Sequence, residues 1–225
     1  MKRERVFFCE TAYFIGIILL ALGTALMERS AFGLSMIVAP AYLIHLKVST
    51  FLPWYSFGIS ELLFQTFLLL VLSVIMGKIK KSYILSIGTA LLYGVLLDAM
   101  IMLLNHIPFS GIAWRVVCYS LGLVLCTFAI AILFHTYFPL EAYEEFVKGI
   151  SQRSGFDLHK VKIVYDFASL FLAIALTLIF FGRFEGIYWG TVISTALNGW
   201  LIGIFIKLLD KTFVFKDALP LRSKL

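Results

Sequence analysis

Six stretches of this chain, at 11–28, 57–77, 83–104, 113–135, 161–181 and 187–207, are apolar over roughly the ~20 helical residues needed to cross a ~30 Å hydrocarbon core. Inside a bilayer, backbone amides and carbonyls must be bonded within the protein, so runs of this length and composition are restricted to helices. The expected fold class is an all-α membrane protein with six transmembrane helices. Of the 225 residues, 61% are hydrophobic and 14% charged, which leaves too little polar sequence for a separate soluble domain.

The first run follows Met1-Lys2-Arg3-Glu4-Arg5, which has the form of a signal peptide's basic region. It continues into Met27-Glu28-Arg29 without an A-x-A-like site, so it reads as a first transmembrane helix. Basic residues cluster in three places. Lys2, Arg3 and Arg5 precede the first run, Lys78, Lys80 and Lys81 join the second to the third, and Lys207, Lys211, Lys216, Arg222 and Lys224 follow the sixth. All three clusters fall on one side of a six-span thread, whereas the stretch from Asn105 to Arg115 carries a single basic residue. By the positive-inside rule this predicts a multi-pass protein of the inner (plasma) membrane with both termini cytoplasmic. The net charge of +6 then reflects topology and contact with membrane lipids, and no nucleic-acid partner is expected.

The chain divides into residues 1–105 and 106–210, followed by a cytoplasmic tail at 211–225. Each half holds a span, an irregular stretch, an acid-bearing span, a short turn and a further span. Three crossings is an odd number, so the second half enters the membrane upside down. The expectation is two inverted three-helix repeats, each with a broken or re-entrant segment after its first helix, an arrangement common in secondary transporters. In the first half that segment is 33–47, apolar, too short to cross alone and expected to break near Pro40. In the second it is 139–153. There Leu140, Tyr143, Phe146, Val147 and Ile150 recur at helical spacing opposite Glu141, Glu144, Glu145 and Lys148, as in an amphipathic helix lying along the interface or packed under the bundle.

Ionisable groups inside apolar runs are costly, about 2.5–3.5 kcal/mol on insertion scales, and are candidate sites for that reason. Glu61 and Asp166 stand at matching places in the two halves, each sixteen residues before a glycine, Gly77 and Gly182. By helical rise Glu61 falls about one turn inside the outer boundary and Asp166 about one turn inside the inner one, as two carboxylates flanking a central cavity would. The bland alternative is that each acid crosslinks helices through hydrogen bonds. Gln65 extends the Glu61 face by one turn, and Tyr165 and Lys162 stand beside Asp166 as partners. Asp98 follows Gly94 in the third run, and Thr191, Ser194, Thr195 and Asn198 form a polar stripe in the sixth. The candidate substrate- or ion-binding residues are therefore Glu61, Gln65, Asp98, Tyr165, Asp166, Thr191 and Asn198. Small and hydroxyl-bearing residues in such a stripe also serve ordinary helix packing.

No enzyme motif is present, the three cysteines have no metal-ligand or disulfide spacing, and His45, His106, His135 and His159 are scattered. Neither catalysis nor a cofactor or metal is expected. Phe32-Gly33-Leu34-Ser35 through Pro40, Ile87-Gly88-Thr89 through Gly94 and Asp98, and Gly186-Ile187-Tyr188-Trp189-Gly190-Thr191 through Asn198-Gly199 resemble the YczE and YitT families of small bacterial polytopic membrane proteins. The chain departs from the YczE pattern at Phe138-Pro139-Leu140-Glu141-Ala142-Tyr143, where a Gly-x-Gly-Pro-x-Asp-like element would stand. The resemblance implies a bacterial inner-membrane transporter, exporter or regulator, and supplies no catalytic residues. The function expected is transport of an unidentified small molecule, coupled to a proton or cation, with a homodimer left open. The alternatives are a membrane scaffold that docks a cytoplasmic partner through 139–153, and a substrate-binding subunit of a larger uptake system.

Overall fold

The computed structural model describes residues 5–108, 111–139 and 141–219; Lys2, Arg3, Leu140, Arg222 and Lys224, named above, lie outside them. The elements are β1 (Arg5–Phe8), α1 (Cys9–Ser30), α2 (Ala39–Val48), α3 (Phe57–Met76), α4 (Lys81–Asn105), α5 (Ile112–Leu133), α6 (Ala142–Ser154), α7 (Leu158–Phe181), α8 (Trp189–Thr212) and β2 (Phe213–Lys216). Six of the helices, α1, α3, α4, α5, α7 and α8, are long and apolar enough to span a membrane. The protein is thus an all-α membrane protein, with α2 and α6 as shorter helices between the spans.

β1 pairs in parallel with β2, Arg5 opposite Phe213 and Phe8 opposite Lys216, so the start of α1 and the end of α8 lie on one face of the bundle, here the terminal face. Residues 213–216 are therefore a strand and not a loose tail. Glu10 holds the join, accepting from the Tyr137 hydroxyl at 2.6 Å and from the Leu219 amide at 2.9 Å.

α1 and α5 form the central pair. Gly23 and Gly122 let the backbones touch, since a Cβ on Gly23 would lie 2.9 Å from the Gly122 carbonyl and one on Gly122 would lie 2.7 Å from that of Gly23. Lipid tails are as apolar as the side chains, so close packing and not water exclusion drives such contacts. α4 packs on the flank of α1, and α8 on the flank of α5. α3 crosses α4 where Gly94 would bring a Cβ within 2.6 Å of the Gly58 carbonyl.

Both short helices turn back inside the bundle. After α1 the chain enters from the opposite face through 31–38, and α2 then returns outward, its Lys47 ammonium donating to the Phe180 carbonyl at 3.2 Å near the end of α7. Pro40 stands in the first turn of α2, a position where its missing amide costs nothing, so the irregular backbone precedes the proline instead of surrounding it. After α5 the chain re-enters from the terminal face, and α6 runs back along α3 to that face, where the Gln152 side chain accepts from Lys80 at 3.1 Å. α6 thus does not lie along the interface. Tyr143, Val147 and Gly149 are buried, and Gly149 sits directly against Leu72 of α3.

Each short helix docks on the other half of the chain. α2 packs on α7 as well as on α3, and α6 packs on α3 as well as on α7. The tips are held by matching aromatic contacts. Tyr13 of α1 stacks on Phe138 at 4.4 Å between ring centroids, and its hydroxyl hydrogen-bonds Thr89 of α4 at 2.8 Å. Tyr119 of α5 meets Phe32 edge-on at 6.1 Å, and its hydroxyl donates to the Gly190 carbonyl of α8. Tyr13 and Tyr119, and Phe32 and Phe138, are both 106 residues apart.

Candidate functional site

Ser56 and Asp98 determine how deep the site lies. Asp98 accepts from the Ser56 hydroxyl and from the Gly58 amide at 2.8 Å, while Ser56 itself caps α3 by accepting from the Ile59 amide at 3.2 Å. α3 therefore begins ~10 Å below the far end of α4, and Glu61 lies ~18 Å below that end, near mid-depth and not one turn inside the boundary.

At that depth Glu61 is fully buried. Its Oε2 accepts from the Tyr143 hydroxyl at 2.7 Å and from Gln65 Nε2 at 3.2 Å, and Gln65 Oε1 accepts the Ala142 amide at 3.3 Å, which satisfies one open donor at the start of α6. The other oxygen, Oε1, is buried with no hydrogen-bond partner among the described residues. Glu141, just ahead of α6, also has a buried and unpartnered Oε1. Burial first, then the negative charge of Glu61, pushes the Glu141 carboxyl up to about 8, with Lys162 pulling the other way. Burial and the neighbouring Glu61 push the Tyr143 hydroxyl well above its ordinary value, so it remains a donor at neutral pH.

From this centre a polar track follows the α6–α7 groove to the terminal face. The Lys162 ammonium bridges Glu144 at 3.0 Å and Asp166 at 3.8 Å. Tyr165 packs against Phe146 with ring centroids 5.6 Å apart. Glu61 and Asp166 therefore both face α6 and do not stand at opposite ends of one cavity. On the far side of Glu61, Tyr93 donates to Thr24 at 3.0 Å and lies within electrostatic reach of Glu61 and Glu141.

The sequence candidates fall into three places. Glu61, Gln65, Tyr165 and Asp166 line the α6 side. Thr191 and Asn198 lie on α8 beside the first re-entrant segment, where Asn198 Nδ2 reaches Ser35 Oγ at 3.4 Å and the Thr191 hydroxyl, buried without a hydrogen-bond partner among the described residues, sits against Gly33. Asp98 caps α3. Two further members of the cluster, Tyr143 and Glu141, read from the sequence as an apolar and a solvated position of an amphipathic helix. The available signal was the proximity of Glu141 to Pro139 at a re-entrant tip. Among the described residues no group of three or more His, Cys, Asp or Glu side chains is arranged to hold a metal.

A multi-pass helical membrane protein with two short helices between its spans, one of them bonded to a buried carboxylate, is the class that fold and site define. Residues 8–207 match the family of unknown function DUF6198, and the chain belongs to that family. It is also 29% identical over 209 residues to the uncharacterized protein YyaS of Bacillus subtilis (strain 168), an alignment covering 91% of this chain and 96% of that one. No solved structure matches.

Proposed function

We propose that the protein is a small secondary transporter built from two inverted repeats, with Glu61 as its coupling group. The observation that carries this reading is the Glu61 carboxyl itself. It is fully buried, it is bonded through one oxygen to a re-entrant helix from the other half of the chain, and its second oxygen is unpartnered. A group that gains or loses a proton or cation there changes the strength of its bond to Tyr143, and so biases the position of α6.

The repeat reading is supported by reciprocal docking of α2 on α7 and α6 on α3, and by the paired Tyr13–Phe138 and Tyr119–Phe32 contacts. The basic residues Lys78, Lys80, Lys81, Lys207 and Lys211 favour a cytoplasmic terminal face in an inner membrane. On this reading the protein is not an enzyme, and its partners are lipids and a small-molecule substrate. The likeness to YczE and YitT is consistent with the same reading.

A scaffold that docks partners through α6 is disfavoured, because the apolar face of α6 is packed against α3 and α7. The subunit reading keeps one supporting observation. α8 is 11% buried over its spanning window against 61% for α1, which leaves a broad apolar flank for a second copy or another membrane protein.

The test starts from a thermal-shift screen of the purified protein against metabolites, since a ligand that binds the folded state stabilises it by mass action. Uptake of the ligand found is then measured in proteoliposomes under an imposed pH gradient. Glu61→Gln is expected to lower uptake at least about tenfold while the variant remains folded. Wild-type uptake by Glu61→Gln, or no uptake by the wild type, overturns the proposal.

A further inference from the structure

A cavity lies away from the Glu61 cluster. A cleft of about 340 Å³ opens on the face opposite the termini, between the far ends of α1, α2 and α4 and the start of α3. Its working walls are Glu28, Tyr42, His45, Phe57, Asp98 and Asn105. The apolar part is aromatic, with Tyr42 edge-on to Phe57 at 5.0 Å and His45 stacked on Phe57 at 5.9 Å between ring centroids.

The polar part is acidic. Glu28 and Asp98 come from different helices and face one space, and among the described residues no lysine or arginine lines it. Arg29 follows Glu28 in the chain, and its guanidinium donates to Oδ1 of the wall residue Asn105 at 3.3 Å and to the Ile107 carbonyl at 3.5 Å, so one positive charge stands at the rim against two carboxyl groups. Burial pushes His45 below its ordinary value, so its ring is neutral at pH 7 and adds no positive charge. The Asp98 side chain is held by the Ser56 hydroxyl and the Gly58 amide, two donors from the start of α3 that fix its orientation. Glu28 Oε1 receives the Tyr42 hydroxyl at 3.5 Å, the long limit of a hydrogen bond. A site with electron-rich rings on one side and two carboxylates on the other attracts cations and repels anions.

We propose that this cleft binds a small organic cation, an ammonium group on a short apolar or aromatic body, with the charge facing Glu28 and Asp98 and the body lying against Tyr42, His45 and Phe57. Glu28 and Tyr42 also line a smaller space of about 100 Å³ that reaches Gly33 and Leu34 in the first re-entrant segment, so the cleft leads toward the tip of that segment. The cleft is the entry site of a transport path only if the transporter reading holds; binding itself does not depend on transport.

The experiment uses the full-length protein in lipid nanodiscs and three probes of one shape: phenethylammonium, 2-phenylethanol and phenylacetate. Binding is read by calorimetry and by thermal shift. Phenethylammonium is expected to bind with a dissociation constant of about 1 mM or tighter, and the alcohol and the acid at least about tenfold more weakly. Glu28→Gln is expected to weaken the ammonium about tenfold, the scale of one charge-assisted hydrogen bond, whereas Glu145→Gln, at the Ser82 end of the bundle, leaves it unchanged. Equal binding of the alcohol, preference for phenylacetate, or no binding of phenethylammonium at about 10 mM overturns the proposal, as does wild-type affinity in Glu28→Gln. The probe series on the wild-type protein decides the matter even where a variant does not fold. Cation binding without uptake would refute the transporter alone, and uptake without cation binding would refute the cleft alone.

Discussion

The two short helices between the spans differ in the groups at the centre of their contacts, although Lys47 donates to the Phe180 carbonyl at the end of α2 and α6 also packs Gly149 against Leu72. α2 docks through Ala39, Leu43, Ala173 and Ile187, an apolar contact with α7, and its carbonyls are met by Ser60 and its own turn. α6 docks on α3 through Tyr143, Gln65 and Glu61, and on α7 through Glu144 and Lys162. An apolar contact between small side chains has one good geometry and no charge to switch. A buried carboxylate bonded through one oxygen has a proton to gain or lose. On the transporter reading proposed above, α2 is the fixed hairpin and α6 the responsive one.

Four measurements sharpen or break that contrast. The largest effect is expected at the tip of the fixed hairpin. Gly33 has φ +101°, and a Cβ there would lie 3.0 Å from the Tyr188 amide nitrogen and against the Thr191 hydroxyl. Gly33→Ala should cost on the order of 3 kcal/mol, from backbone strain plus overlap, read as thermal unfolding in detergent. Gly88→Ala, which meets nothing within 4 Å, is the control and should change little. If Gly33→Ala melts like the wild type, the first hairpin is not locked on α8.

Next is Leu43→Ala, which empties a fully buried position between α2 and α7 and should cost about 2 kcal/mol with no dependence on pH. A pH-dependent loss would remove the contrast with α6. Tyr143→Phe should cost about 1 kcal/mol, since it removes one of the two hydrogen bonds to Glu61 and leaves the packing in place. Hydrogen exchange should show faster opening of α6 and unchanged α2; equal effects in both helices would mean that the hairpins move as one body.

The last measurement reads a slope and not a single loss. Glu141 is raised from its ordinary 4.5 to about 8 in the folded protein, so between those values the native state binds more protons than the unfolded chain. Its contribution to stability is complete below about pH 4.5 and is lost as pH rises through about 8. Glu141→Gln should flatten that part of the stability–pH curve, whereas no substitution in α2 should. A wild-type curve unchanged by Glu141→Gln would show that this carboxyl is solvated.

Much of the architecture was legible because membrane spans announce themselves through length and hydropathy alone. The six runs correspond to α1, α3, α4, α5, α7 and α8, and segment 33–47 emerged as too short to cross. Pro40 marks that segment but starts α2 where the sequence predicts a break, since a proline in the first turn starts a helix as readily as a proline in the interior breaks one. The 139–153 helix was visible by its spacing, yet its placement was not. An amphipathic pattern reports that one face is buried, and does not distinguish lipid headgroups from a neighbouring polar helix. Asp98 illustrates the same limit from the other side, since its partners Ser56 and Gly58 are forty residues away and only the α3–α4 crossing brings them to it.

Composition and hydropathy by themselves determined that this chain is a six-span helical membrane protein with two irregular segments, because burial of backbone in lipid admits few other solutions. The tertiary structure alone decided that each short helix crosses into the other half, that Glu61 meets Tyr143, and that both carboxylates face α6. Those facts depend on how far α3 is sunk relative to α4 and on which helix flanks are small enough to touch, and these are matters of three-dimensional packing that no local pattern of residues encodes.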